Sequence, residues 1–171
     1  MLPQTPTFPT VLDIHVFEAG GPWKTKSGGN LAIQFGAPGI PFQMIMEYFQ
    51  YEAEDLSRQK DLKGFRIYTV RDLPAGTIGG TEWHRVRQEM VFALDGKVEW
   101  ECEDVSGNHR SFVLDGVVGI WMPPYILHAY KAQVQGSGLL VVANTLFYPE
   151  DKATHDTYSQ ETFRDLQAEL G

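Results

Sequence analysis

The sequence predicts a mostly β protein, an antiparallel sandwich or barrel, and three observations carry that reading. Short runs rich in valine, isoleucine, phenylalanine, tryptophan and tyrosine follow one another from residue 65 to residue 147. Turn residues separate them at close spacing, which suits antiparallel strands rather than βαβ units. Within 97–103 the apolar Val98, Trp100 and Cys102 alternate with Glu99, Glu101 and Glu103, the period of a strand with one buried face.

Taken in order, residues 1–64 form an irregular N-terminal extension. It has a proline-rich start and loop-like stretches at 19–22, 27–30 and 36–41. Apolar pieces at 11–17, 31–35 and 42–46 are candidate extra strands, and the charged segment 47–63 reads equally as a helix or an insertion. The barrel core is placed at 65–150, with strands at 65–71, 77–84, 88–94, 97–103, 110–114, 117–122, 126–133 and 138–147. Asp95-Gly96 reads as a two-residue hairpin, because a type I′ turn needs positive φ. Ser106-Gly107-Asn108 marks a second turn. In the tail, 151–171, Ser159 can cap a short helix carrying Phe163, Leu166 and Leu170, with Glu161 near its positive end.

A chain of 171 residues fits one domain with a sizeable core. At 43% hydrophobic and 21% charged residues, it is globular in composition. Cys102 is the single cysteine, so no internal disulfide forms; its alternation points it inward as a small core residue. The formal net charge of −8 argues against a nucleic-acid partner, which needs a basic footprint. The first ten residues hold three prolines and no lysine or arginine, unlike a signal peptide. The apolar run at 139–143 is far short of the ~20 residues of a membrane span. A cytoplasmic protein without membrane contact is expected.

The chemistry concentrates in two places. Glu82 and His84 fall on one face of a strand, because side chains alternate with period two. Glu89 opens the next strand, and Pro123-Pro124-Tyr125-Ile126-Leu127-His128 delivers a second histidine. Two carboxylates and two imidazoles can thus converge inside one barrel.

Gly76, His84, Glu89 and Gly96 stand at the spacing of the first cupin motif, with Glu82 where its first histidine is usual. Pro123 and His128 match the second motif, with Tyr125 in place of its glycine. The chain therefore resembles the cupin superfamily, which implies a cupin-type antiparallel β-barrel, or jelly roll. Over about 65–148 it is similar to the nucleotide-sugar 3,4-ketoisomerase (WxcM-like) cupins, through Arg66-Ile67-Tyr68, the stretch from Gly79 to Arg85, and the segment from Gly119 to His128. That resemblance implies a homodimer without a metal or other cofactor, acting on a dTDP-linked 4-keto-6-deoxy sugar. It also implies two departures: the family's catalytic histidine is Glu82 here, and its substrate arginine is Gly79.

Ketoisomerisation removes a proton beside a carbonyl, passes through an enediol and returns a proton elsewhere. Desolvation in an apolar barrel disfavours a charged carboxylate, which suits Glu82 to serve as base, with His84 as partner. Tyr68 or His128 would polarise the carbonyl or shuttle the proton. Arg66, Arg85 and Arg87, with Glu89 and Trp121, are candidate substrate-binding residues, Trp121 by stacking on a base. Alternation sets Arg85 and Arg87 opposite His84, so surface charge and diphosphate contact both stay open for them. Two other functions remain open. One is a metal-dependent oxygenase or lyase holding Fe, Mn, Ni or Zn with Glu82, His84, Glu89 and His128. The other is a non-catalytic sugar-binding cupin. Trp83 and Trp100 are assigned to barrel packing, and Tyr148 with His155-Asp156 to a cap over the barrel mouth.

Overall fold

The structure, a computed structural model, describes residues 8–18, 20–33, 63–152 and 155–170. After a single 3-10 turn at Val11–Asp13, the strands are β1 (His15–Glu18), β2 (Gly20–Lys24), β3 (Asn30–Ile33), β4 (Lys63–Leu73), β5 (Ile78–Trp83) and β6 (Glu89–Asp95). They continue as β7 (Val98–Asp104), β8 (His109–Leu114), β9 (Val118–Met122), β10 (Ile126–Ala132), β11 (Ser137–Thr145) and β12 (Tyr158–Ser159), and helix α1 (Gln160–Leu170) closes the chain.

Ten of these strands form two five-stranded antiparallel sheets, ordered β1-β9-β6-β11-β4 and β12-β5-β10-β7-β8. Their inward residues, among them Val91, Val98, Leu114, Ile120, Leu139 and Val141, are buried in one core cluster. This is the predicted jelly-roll barrel. Cys102, Val98 and Trp100 point inward as alternation requires, and burial pushes the Cys102 thiol up to about 12.

Asp95-Gly96 is not a hairpin. β6 pairs with β9 and β11, whereas β7 pairs with β8 and β10, so the turn carries the chain from one sheet to the other. A positive-φ turn fixes only a sharp change of direction; the strands' partners follow from which apolar faces meet. Gly96 does take φ 68°, and a Cβ there would lie 2.7 Å from the Ser137 hydroxyl. The hairpin is β7–β8, around Ser106-Gly107-Asn108, where the Asp104 amide donates to the Asn108 carbonyl at 3.0 Å.

Helix α1 forms where the Ser159 cap predicts it, and it changes the reading of two residues. Trp83 lies outside the barrel, beneath the helix, packing with Leu127 and Phe163. Its indole N–H donates to the Ser159 carbonyl (3.1 Å) and the Thr162 hydroxyl (3.0 Å). Glu103, expected on a solvated face, is 7% exposed because α1 crosses over it. Arg164 Nη2 donates to its Oε2 at 2.7 Å, and Gln167 Nε2 to its Oε1 at 3.0 Å. The Arg164 hydrogen bond holds its carboxyl below the ordinary range, against the opposing effect of burial.

In the N-terminal region, β1 joins the first sheet beside β9, and β2 pairs with β3 as a separate ribbon, so residues expected as a loop at 20–22 are strand. The candidate strand at 42–46 and the segment 47–62 lie outside the described residues. Among the described residues, no helix is long and apolar enough to cross a membrane.

Candidate active site

Three neighbouring elements bring the polar residues together. β5 and β10 pair with Glu82 opposite His128, and Glu89 begins β6 on the facing sheet. Between them β5 stops at Trp83 and the chain turns through 84–88, which directs both His84 and Arg87 inward. His84 Nε2 lies 3.8 Å from Glu82 Oε1 and 3.8 Å from Glu89 Oε1. His128 Nε2 lies 3.8 Å from Glu89 Oε2. The Tyr68 hydroxyl donates to Glu89 Oε1 at 3.0 Å, and Arg87 Nη1 stands 3.5 Å from the same oxygen.

Glu89 is therefore the buried hub, at 1% exposure, while Glu82 sits at the rim with its side chain one-third exposed. Trp100 stacks on the His128 ring, centroids 5.2 Å apart and planes inclined by 12°.

Backbone carbonyls set both imidazoles. His84 Nδ1 meets the Asp156 carbonyl at 2.5 Å, and His128 Nδ1 meets the Ile126 carbonyl at 3.1 Å. A carbonyl only accepts, so each Nδ1 carries a hydrogen, and in the neutral His84 ring the lone pair falls on Nε2. Arg87 Nη1 donates to His84 Nε2 at 3.4 Å. Burial first, then the Arg87 and His128 charges, hold His84 well below the usual imidazole range. Burial and the Glu89 carboxylate raise the Tyr68 phenol, which stays a donor at neutral pH.

Two cavities meet at Tyr68 and Glu82. The inner one, about 210 Å³, lies among Glu82, Glu89, Trp100, His128, Tyr130 and the aliphatic Val70, Leu139 and Val141. The outer one, about 660 Å³, is walled by Arg66, Arg87, Phe147, His155 and Thr157. Buried Arg66 Nη1 and Arg87 Nη2 have no hydrogen-bond partner among the described residues. The Arg66 guanidinium lies over the rings of Tyr68 and Phe147, 5.2 and 5.1 Å from their centroids.

The structure thus gathers Glu82, His84, Glu89, His128, Tyr68, Arg66 and Arg87, and leaves two candidates outside. Arg85 is exposed and lies over the outer rings of Trp83 and Tyr158, 5.8 and 5.1 Å from their centroids. Trp121 packs against the cluster of Phe17, Met90 and Phe92, and its N–H donates to Gln88 Oε1 at 3.1 Å. Trp121 lies on the outward side of its strand, between the inward Ile120 and Met122, so alternation turns it away from the cavity. Arg87 is 3% exposed because the turn after Trp83 resets the alternation on which a surface position depended.

Two site residues carried no signal of their own. Tyr130 lies across Gly79 and Gly80, and a Cβ at Gly79 would come 2.5 Å from its hydroxyl. The space beside Gly79 is thus filled by the Tyr130 phenol, whose pKa is raised by burial and then by the Glu82 charge. Asp156, read as part of a mouth cap with Tyr148 and His155, is instead wholly buried against the 84–87 turn. His155 does line the outer cavity, stacked on Phe147 at 4.7 Å and contacting the Tyr148 carbonyl at 3.1 Å.

Two facing antiparallel sheets enclosing acidic and imidazole side chains define a cupin-type barrel with a polar centre. The chain belongs to the FdtA family, described as WxcM-like, C-terminal, whose model matches residues 56–162. No curated protein matches its sequence. Among solved structures it is similar to QdtA, a sugar 3,4-ketoisomerase from Thermoanaerobacterium thermosaccharolyticum in complex with TDP. The TM-score is 0.62 at 18% identity, over 93% of this chain and 97% of that one. It is also similar to a 3,4-ketoisomerase from Helicobacter canadensis (TM-score 0.58, 19% identity, 92% and 96% covered). A third is WlaRA, a TDP-fucose-3,4-ketoisomerase from Campylobacter jejuni (0.59, 16%, 91% and 96%). At these identities the likeness is one of fold.

Proposed function

We propose that the chain is a ketoisomerase acting on a nucleotide-linked 4-keto-6-deoxy sugar. The observation that carries this reading is a pair of guanidinium groups, half-buried Arg66 and buried Arg87, each with a buried nitrogen unpartnered among the described residues, on a cavity that opens onto Glu82. Such donors await an anionic ligand, because an unsatisfied buried N–H costs about 1–3 kcal/mol. The diphosphate occupies the outer cavity beside Arg66, and the sugar enters the inner one. Glu82 takes the proton from the carbon beside the carbonyl. The C–H electron pair becomes the carbon–carbon double bond, and the carbonyl π pair moves to oxygen, where Arg87 and Tyr68 stabilise it. The proton then returns to the former carbonyl carbon, and the neighbouring hydroxyl passes its own proton to the former carbonyl oxygen as the new carbonyl forms. His84, neutral and with its Nε2 lone pair near Glu82, accepts hydrogen bonds from the moving protons.

A second reading, a divalent metal, is favoured by one feature. Ligand atoms of Glu82, His84 and His128 lie within 4.8 Å of one another, and both imidazoles present Nε2 with Nδ1 already held by a carbonyl. An ion there would polarise a carbonyl as a Lewis acid. Against it, Arg87 directs a guanidinium N–H at the same His84 Nε2, and a like charge weakens cation binding.

One set of measurements separates the readings. Protein purified without chelator is expected to hold no stoichiometric metal and to gain about 5 °C in Tm at TDP concentrations 100-fold above Kd. It is expected to convert TDP-4-keto-6-deoxyglucose in deuterium oxide with label entering the sugar ring. Bound metal, with neither a TDP shift nor label, would sink the isomerase. The exposed apolar Trp23, Leu31, Ile33 and Ile67 support the homodimer that the family resemblance implies, and the single cysteine fits a cytoplasmic protein. Light scattering is expected to give twice the 19.3 kDa chain mass, and a monomer would overturn this.

A further inference from the structure

The segment that follows the barrel does more than cover it. Asp156 is wholly buried, and its carboxylate accepts three successive backbone amides: Arg85 N at 3.0 Å, Val86 N at 2.9 Å and Arg87 N at 2.7 Å. Its own carbonyl is the group that meets His84 Nδ1. One residue, about 70 positions away in sequence, thus grips every member of the turn from His84 to Arg87. Elsewhere the turn is tied by the Tyr125 amide donating to the His84 carbonyl at 2.7 Å and by Arg87 Nε donating to the Thr145 hydroxyl at 3.2 Å.

Burial alone argues for a purpose. A carboxylate removed from water is expensive unless hydrogen-bonded, and burial raises the Asp156 carboxyl while the three amides pull the other way. A turn that needed only to reverse direction could leave those amides to solvent or close them with its own carbonyls. Here they are drawn to one point, which fixes where Arg87 and the His84 ring lie. The residues on either side, His155 and Thr157, line the outer cavity. His155 and Thr157 therefore wall the ligand space, while Asp156 between them sets the imidazole.

We propose that Asp156 is a positioning residue, whose carboxylate and carbonyl together fix the 84–87 turn and hold His84 as its Nδ1–H tautomer, with Nε2 turned toward Glu82 and Glu89. Its effect on turnover rests on the ketoisomerase reading; its effect on the tautomer does not.

The test is nitrogen-15 NMR of the histidine side chains in the full-length protein, with kinetics on TDP-4-keto-6-deoxyglucose beside it. In the wild-type protein His84 is expected to show one protonated nitrogen, Nδ1, slow to exchange. In Asp156→Asn the amide group opposes one backbone N–H, and in Asp156→Ala all three lose their acceptor. The signal is expected to pass to mixed tautomers in that order. kcat is expected to fall about tenfold and about 100-fold respectively, the scale of a misplaced catalytic group. KM and the TDP-induced rise in Tm stay within twofold. An Nε2–H tautomer in the wild-type protein overturns the proposal, whether or not the variants fold. So does a folded Asp156→Ala protein with His84 unchanged. If the tautomer shifts while no variant, nor the wild-type protein, turns over the sugar, the positioning role stands and the substrate reading falls.

Discussion

Replacing Arg87 with methionine is expected to destabilise the protein by about 3–5 kcal/mol, because it strips one partner from a buried ion pair. Arg87 and Glu89 are 3% and 1% exposed, and their charges stand 3.5 Å apart. Methionine fills much of the arginine stem but leaves Glu89 without the guanidinium charge, beside the Tyr68 hydroxyl and the two imidazoles. The Thr145 hydroxyl also loses the Arg87 Nε donor at 3.2 Å. For a chain of this size the loss corresponds to a fall in Tm of about 6–20 °C. Adding Glu89→Gln should recover most of it, since the stranded charge is then gone. A double-mutant cycle in urea would measure that coupling, expected at about 2 kcal/mol or more. Two single variants within 0.5 kcal/mol of wild type, with no coupling, would mean that the pair does not organise the barrel centre.

The pair also shows where the sequence stops being legible. Glu82, His84 and Glu89 were readable because cupin spacing and strand alternation place them without knowledge of any distant contact. Arg87 stayed open between surface charge and diphosphate contact, since its inward aim depends on β5 ending at Trp83 and on the turn that follows. Asp156 was harder still: its partners are backbone amides, which carry no residue-type signal. Asp95-Gly96 reported a sharp turn correctly but not the crossing between sheets, because turn chemistry is local and sheet membership is not. Glu103 alternated outward as expected, and only the later docking of α1 buried it. Strand positions and their alternating faces are thus written locally, whereas sheet membership and the lining of the site depend on where distant parts of the chain return.

Glu82→Gln tests the chemistry rather than the scaffold, and its expected signature is the reverse of that of Arg87→Met. Removing a positioned general base typically costs 10²–10⁴-fold in rate, so kcat on TDP-4-keto-6-deoxyglucose is expected to fall about 10³-fold. Stability should change by less than about 0.5 kcal/mol, the usual range for a surface substitution. The carboxylate stands at the rim, one-third exposed and 3.8 Å from a neutral imidazole, so glutamine keeps its shape without stranding a charge. Glu82→His returns a base to the same strand position and should recover at least about tenfold over the glutamine variant. The comparison with metal binding is decisive here. A ligand role for Glu82 predicts that glutamine lowers metal content and Tm together. A proton-transfer role predicts that kcat falls alone, with the TDP shift intact. Full activity in Glu82→Gln would remove Glu82 as the base and move that role to His84, the neutral imidazole beside it.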